Sequence, residues 1–176
     1  MIERDTDLWP GVIFLPLQKH DKSLCLLRLI KLQSHTGMLL NLVHRNKKAN
    51  DIHEGKWNGL GGKFEHGETP QECVIREIYE ESGLSIRDPK LCGLLIFPQF
   101  KGNDWYVFVF AATDFSGELI DSPEGNLEWI PDEKILDLNL WESDHVFMPW
   151  IKEGKFFSAK FEYEGDQLLG YKVVFH

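Results

Sequence analysis

The chain has 176 residues, of which 43% are hydrophobic and 27% are charged, so it lies outside the composition of disordered proteins and has enough apolar side chains for a core. Its 28 acidic residues outnumber its 19 basic residues, which gives a formal net charge of −9 and argues against binding of extended nucleic acid through a basic surface. We expect one folded domain over residues 1–176, and we expect any phosphate ligand to be bound with the help of a metal.

The N-terminal segment shows no targeting or membrane-spanning pattern. No apolar run approaches the roughly 20 residues that cross a bilayer, and acidic residues precede the short apolar run 12–17. We therefore expect a cytoplasmic protein with no membrane partner. Residues 1–22 are interpreted as an N-terminal extension, in which 12–17 is either a strand or a packed segment. The widely spaced Cys25, Cys73 and Cys92 are expected to be reduced.

Short apolar runs between turn residues predict a sheet. These runs are rich in β-branched and aromatic residues, and their spacing favours a mixed or antiparallel arrangement. The predicted strands are 24–32, 38–44, 91–97, 105–112 and 127–130. A closing C-terminal hairpin is predicted from 156–163 and 168–175, which flank a glycine-containing turn.

One helix is predicted by its end signals as well as by its composition. Thr69 and Glu72 form a capping box, Pro70 suits the first turn, and Gly83 suits the position after the last turn. These signals predict a helix over Pro70–Ser82. Two shorter helical pieces are predicted at 131–138 and 142–152, and Pro149 is expected to limit or kink the second.

The predicted helix concentrates acidic side chains on one side. At about 100° per residue, Glu77, Glu80 and Glu81 share one stripe. Clustered carboxylates repel one another and hard divalent cations bind oxygen, so the stripe is either a metal site or a solvated face steadied by an Arg76–Glu80 pair. The glycines of 59–62 predict a loop that can approach a ligand closely. The apolar sector expected to dock on the sheet contains Val74, Ile75, Ile78 and Ser82.

The same residues belong to a longer motif. Gly62, Glu68 and the run 76–84 match G-x5-E-x7-R-E-U-x-E-E-x-G-U, where U is a bulky apolar residue, at every position. The sequence resembles the Nudix hydrolase family. The resemblance implies an α+β fold, namely an α/β/α sandwich with a mixed sheet, and hydrolysis of a nucleoside diphosphate linked to another group, with Mg²⁺ or Mn²⁺ as cofactor.

The resemblance also implies roles for single residues. The implied metal ligands are the carboxylates of Glu77, Glu80 and Glu81 and the carbonyl oxygen of Gly61. Arg76 and Glu68 are implied to support the geometry of the loop and helix. Either Glu77 or Glu81 can take the proton of the attacking water, and the sequence does not choose between them.

Residues outside the motif extend the resemblance to the MutT-type oxidised purine nucleoside triphosphate hydrolases. The matching segments are 56–59, 96–97 and 141–144, together with Glu124 and Trp129. In relatives of this type the base pocket is lined by the positions of Asn58, Phe97, Trp141 and Asp144, and the position of Glu124 is an additional acid near the metals. Aromatic stacking of a base is worth roughly 1–3 kcal/mol, and amide and carboxyl groups can read the polar edges of a purine.

Each of these residues also has an alternative interpretation. The alternatives are a core position for Trp141 and Phe97, a turn position for Asn58 and a helix cap for Asp144. Lys63 and Arg45 are either phosphate-binding residues or solvated surface cations. Ser143 stands where close relatives carry a second acid, which leaves the base selectivity open.

The predicted function is metal-dependent hydrolysis of purine nucleoside triphosphates, with 8-oxo-dGTP or dGTP as substrate, to the monophosphate and pyrophosphate. Such an enzyme would sanitise the nucleotide pool and so serve DNA repair. The alternatives are hydrolysis of ADP-ribose, another nucleotide sugar or an RNA 5′ end, and a non-catalytic nucleotide-binding module. The expected partner is a small-molecule nucleotide.

Overall fold

The computed structural model describes residues 22–34, 37–47 and 53–176, with side chains described from residue 42 onward. The predicted extension, except for its last residue, and the run 12–17 lie outside the described residues. Within these ranges, no helix is long and apolar enough to span a membrane.

The described elements follow the predicted order closely. The strands are β1 (Lys22–Ser34), β2 (Gly37–His44), β3 (Trp57–Asn58), β4 (Leu60–Lys63), β5 (Ser85–Arg87), β6 (Lys90–Phe100), β7 (Asn103–Ala112), β8 (Asp114–Ser116), β9 (Asn126–Pro131), β10 (Phe157–Glu164) and β11 (Gln167–Phe175). The helices are α1 (Pro70–Ser82), a 3-10 helix (Asp132–Asp137) and α2 (Glu142–Glu153). All seven predicted strands and the predicted α1 are present.

The sheet is mixed. In the described part of the chain its strand order is β11-β10-β6-β7-β1-β2-β3, with β4 paired to β1 and β9 paired to β2. The pairs β1–β7 and β6–β10 are parallel, which excludes the antiparallel alternative. The short strands β3, β4, β5 and β8 were not predicted. The glycine segment predicted as a loop contributes β4, which pairs with β1.

The two helices cover opposite faces of this sheet. Along β7, Val107 and Val109 pack in the same apolar cluster as α2, whereas the alternate residues Phe108 and Phe110 pack in the cluster of α1. Successive side chains of a strand point to opposite faces, so α1 and α2 lie on different sides. The α/β/α sandwich is confirmed.

The face of α1 that docks on the sheet differs from the prediction at one position. Val74, Ile78 and Ser82 are buried as expected, but Ile75 is 37% exposed. The apolar contact is made by the fully buried Cys73 instead, because the buried stripe is rotated toward that side of the helix.

Cys73 also corrects the expectation of three reduced cysteines. It is disulfide-bonded, whereas the Cys92 thiol donates to the Lys90 carbonyl at 3.4 Å. Wide spacing along the sequence does not prevent a disulfide between elements that the fold packs together.

The later helical segments differ in detail from the prediction. The piece expected at 131–138 is a 3-10 helix, and α2 continues through Pro149 to Gly154, its C-cap. The helix therefore does not end at Pro149, and its span agrees with the predicted 142–152 to within one residue. A proline removes one backbone hydrogen bond, and the buried Phe147, Met148 and Ile151 hold the helix on the sheet.

Candidate active site

The glycines of β4 place two carboxylates of α1 against the backbone. The Glu77 carboxylate lies so close to Gly62 that a Cβ atom there would be 2.3 Å from the Glu77 Cδ. Gly61, at φ +142°, donates its backbone N–H to Glu81 Oε2 at 3.0 Å. Glycine is required at 62 by this close approach and favoured at 61 by the positive φ.

Arg76 links the loop before α1 to the acidic stripe. Its guanidinium donates to both oxygens of Glu68, from Nε at 2.6 Å and from Nη2 at 3.0 Å. Nη1 donates to Glu77 at 2.9 Å and to Glu80 at 3.1 Å, and Nη2 also donates to the Lys63 carbonyl. One planar cation thus fixes three carboxylates, as the bidentate geometry of arginine allows. The hydrogen bond from Arg76 lowers the pKa of Glu68 to about 2.

Burial raises the pKa of the two inner carboxyls. The pKa of Glu81 is raised to about 8, chiefly because the group is buried; the Gly61 N–H opposes this shift, and the charges of Glu124 and Glu77 add to it. Burial also raises the pKa of Glu77, against the hydrogen bond from Arg76. Two neighbouring carboxylates in a poorly solvated position favour a proton or a cation.

Glu124 approaches this group from the loop before β9. It forms an ion pair with Arg45, at 2.5 Å between Nη1 and Oε2, and both side chains are mostly buried. Arg45 is therefore not a solvated surface cation. Lys47 holds the same loop by bonding the side chain of Asp121 and the carbonyl of Ser122. The sequence pattern did not predict this role for Lys47.

The residues present fit a hard divalent cation, although they do not form a ready cage. Among the described residues, no three His, Cys, Asp or Glu side chains are grouped closely enough to hold a metal ion, because Arg76 binds Glu77 and Glu80 and Arg45 binds Glu124. The donors are all carboxylate oxygens, the ligands that Mg²⁺ and Mn²⁺ favour. A cation would also stabilise the charged form of Glu81, whose pKa is raised chiefly by burial and further by the charges of Glu124 and Glu77.

The predicted base-pocket aromatics lie in one cluster. Trp141 is 8% exposed and makes edge contacts with Phe100, at 5.3 Å between ring centroids, and with Tyr163 at 6.1 Å. Phe97 contacts the same two rings and stacks on Phe161 at 5.5 Å. Trp141 thus lies in the buried core, as the alternative interpretation has it, whereas Phe97 is partly buried and packs against that core.

The predicted polar residues of the pocket are buried. Asn58 lies in β3 and Asp144 in the first turn of α2, with exposed fractions of 6% and 2%. The side-chain oxygen of Asn58 accepts no hydrogen bond from any described residue. The alternatives are wrong as stated: Asn58 is not in a turn, and the N-cap of α2 is Trp141 rather than Asp144. Lys63 is exposed at the end of β4.

Hydrogen bonds join the two segments that carry these residues. Lys56 Nζ donates to the Asn139 side-chain oxygen at 2.9 Å and to the Leu140 carbonyl at 3.0 Å. In return, the Asn139 amide donates to the Gly55 carbonyl, and its own carbonyl accepts the Trp57 N–H. We call segments 53–58 and 139–144 together the pocket wall. Nothing in the sequence pattern paired these two segments.

The fold agrees with comparisons to known proteins. The NUDIX domain family model matches residues 28–151, and the chain belongs to the Nudix family, whose members generally use divalent metal ions. Oxidized purine nucleoside triphosphate hydrolases from Danio rerio and Mus musculus are each 33% identical to it. The first alignment covers 65% of this chain and 74% of the relative, and the second covers 68% and 78%.

Solved structures show the same fold. A mutator MutT protein from Bacillus halodurans superposes with a TM-score of 0.73 and 27% identity over 86% of this chain and 97% of its own. The NUDIX domain of Shewanella oneidensis NrtR, solved with ADP ribose, superposes with a TM-score of 0.61 over 78% of this chain and 89% of its own. At 14% identity, the second likeness shows the fold alone.

Proposed function

We propose that this Nudix hydrolase cleaves purine nucleoside triphosphates, with 8-oxo-dGTP or dGTP as preferred substrate, to the monophosphate and pyrophosphate with Mg²⁺ or Mn²⁺. Cytoplasmic sanitising of the nucleotide pool, a form of DNA repair, is the corresponding role. The proposal depends chiefly on the pocket wall, which places Trp141 beside the segment that carries the buried Asn58 oxygen. The names of the two vertebrate relatives support it.

The acidic residues are assigned to the phosphate chain. Glu77, Glu80 and Glu81, with Glu124 and the Gly61 carbonyl, would hold the cation, which supplies charge neutralisation and acidifies water when bound. Arg76 and Glu68 orient the carboxylates by the hydrogen bonds described above. A carboxylate oxygen of Glu77 or Glu81 accepts the proton of the attacking water. Lys63, exposed at the end of β4, is assigned to bind a phosphate, whereas Arg45 is assigned to act through its ion pair with Glu124.

The buried polar groups are assigned to the base. Trp141 and Phe97 provide aromatic surface for a purine. Asn58 can both donate and accept, and a protonated Asp144 can donate. A protonated carboxyl distinguishes the acceptor-rich edge of one purine tautomer from that of another, which is the chemistry needed to recognise an oxidised base. An unmatched buried polar group costs about 1–3 kcal/mol, enough to select among purines.

A product-resolved assay tests the proposal. The purified chain is given 8-oxo-dGTP, dGTP, ADP-ribose and a 5′-triphosphorylated RNA at equal concentrations, with Mg²⁺, with Mn²⁺ and with excess chelator. We expect pyrophosphate and the monophosphate from the purine triphosphates only when a metal is present. Release of AMP from ADP-ribose at far lower concentration would instead establish the nucleotide-sugar activity. Turnover that persists in chelator would contradict the metal assignment.

A further inference from the structure

We infer that His53, together with Lys56, is a positioning residue that fixes the Trp141 ring in the orientation that stacks on a purine. The inference rests on the proposed function, because it assigns how one wall of the base pocket is held. Neither residue belongs to the motif or to the predicted pocket. His53 makes a specific side-chain hydrogen bond to Trp141.

The bond between Trp141 and His53 fixes the indole edge. Trp141 Nε1 donates to His53 Nδ1 at 2.9 Å, and the two rings meet edge to face with centroids 6.0 Å apart. An indole N–H can only donate, so Nδ1 must accept and His53 must be neutral with its proton on Nε2. Because Trp141 is 8% exposed, loss of this acceptor leaves a buried donor without a partner.

Lys56 fixes the same ring from its face. Its ammonium lies 5.1 Å from the centroid of the Trp141 ring, within the range of a cation–π contact. The bonds from Lys56 to Asn139 and Leu140 hold the ammonium there. One ring face is therefore occupied by a cation, so a purine would have to stack on the opposite face.

These contacts assign stacking on the base and hydrogen bonding to the base to different residues. Because the indole N–H is engaged by His53, Trp141 contributes stacking and no hydrogen bond to a base. The polar edges must be read by other groups, and Asn58 lies five residues after His53 on the same segment. His53 thus couples the stacking ring to the segment that carries the buried amide.

Two variants of His53 and one control test this inference. His53→Ala removes the acceptor, whereas His53→Asn keeps an oxygen near the position of Nδ1. His176→Ala is the control. The His176 side chain also forms a side-chain hydrogen bond, but its partner is Ser158 on β10, outside the pocket wall. The measurements are the Kd of dGMP without metal, KM and kcat for dGTP with Mg²⁺, and hydrogen exchange of the Trp141 indole N–H, assigned by its absence in Trp141→Phe.

We expect His53→Ala to raise the Kd of dGMP and the KM for dGTP three- to tenfold, with kcat within twofold of wild type. Its Trp141 indole proton should exchange at least tenfold faster. His53→Asn should return the Kd of dGMP, the KM for dGTP and the exchange rate of the indole proton to within twofold of wild type. His176→Ala should change none of these quantities. A merely structural role would lower the melting temperature without this separation of KM from kcat.

Three results would overturn the inference. The first is rapid exchange of the Trp141 indole proton in the wild-type chain, a measurement that needs no variant to fold. The second is an unchanged Kd and KM in His53→Ala when wild type binds dGMP. The third is failure of the wild-type chain to bind any purine nucleotide, which would refute the proposed function and remove the basis of the inference, even with a slowly exchanging indole proton.

Discussion

At Gly62 the absence of a side chain allows the Glu77 carboxylate to lie against the backbone. A Cβ atom would fall 2.3 Å from Glu77 Cδ and 2.3 Å from Oε2, so even alanine must displace the Glu77 side chain or the backbone of β4. The position therefore tolerates no other residue without a change in the acidic stripe.

We predict that Gly62→Ala lowers kcat at least about a hundredfold, since displacement of a reacting group by about 1 Å has effects of that size. Pyrophosphate release from dGTP measures it. The control is Gly170→Ala in β11, where an added Cβ meets no atom within 4 Å. Equal activity of the two variants would show that Glu77 does not need its present position.

A substitution at Glu77 tests whether the chain is an enzyme or a non-catalytic binding module. We predict that Glu77→Gln lowers kcat at least about a hundredfold and leaves the circular dichroism spectrum unchanged, because the amide oxygen can still accept from Arg76. Glu133→Gln in the exposed 3-10 helix is the matched control. Full turnover in Glu77→Gln would favour a role for the chain other than catalysis through this carboxylate.

At the scale of elements, α2 is fastened at its first turn by a residue of the C-terminal hairpin. The Ser143 N–H donates to the Tyr163 hydroxyl at 2.9 Å, and Ser143 is 2% exposed. This N–H is one of the donors that a helix leaves unsatisfied at its start. The bond holds the turn that contains Trp141 and Asp144.

We predict that Tyr163→Phe destabilises the fold by about 1–3 kcal/mol, because it leaves a buried N–H without an acceptor. That loss lowers the melting temperature by roughly 2–4 °C per kcal/mol. KM for the purine triphosphate should rise as the first turn of α2 loosens. Tyr79→Phe, with a ring 60% exposed on α1, should leave both quantities unchanged, and a similar effect of the two variants would contradict the assignment.

The elements that sequence predicted well are those with local signals. The capping box of α1 is present as drawn, with Thr69 and Glu72 bonded to each other's backbone, and the strands with alternating or continuous apolar residues are all found. Strand β4 was missed because its two glycines and short length look like a loop, and pairing with β1 decided otherwise. The exposure of Ile75 was missed because the helical period shows which residues share one side of the helix. It does not show how the helix is rotated about its axis when it packs on the sheet.

The contacts of the candidate site likewise include some that have a local sequence signal and some that have none. The bonds of Arg76 to Glu68 and Glu80 follow from their spacing along the loop and helix, so the motif could predict them. The bond of Trp141 to His53 joins distant segments and carries no local pattern. The Arg45–Glu124 pair was likewise invisible, because each residue is an ordinary surface type until the fold brings them together.

At the scale of the whole molecule, acid should weaken the fold through the Glu68–Arg76 bond. The pKa of Glu68 is about 2 in the folded chain against an ordinary 4.5. Its contribution to stability is therefore fully present above about pH 4.5 and is lost as the pH falls toward 2. We expect the difference in melting temperature between wild type and Glu68→Gln to shrink over that interval. A constant difference from pH 7 to pH 2 would contradict this linkage.

The hydrogen bonds of the site also differ greatly in the number of residues that separate their two partners along the sequence. Arg76 and Glu68 are 8 residues apart and Gly61 and Glu81 are 20 apart, whereas His53 and Trp141 are 88 apart. Closing a longer loop costs more entropy, and contacts of large sequence separation form slowly during folding. The hydrogen bonds within 61–81 can thus form within a short stretch of chain, whereas the bond between His53 and Trp141 and the Arg45–Glu124 ion pair both depend on completing the tertiary structure.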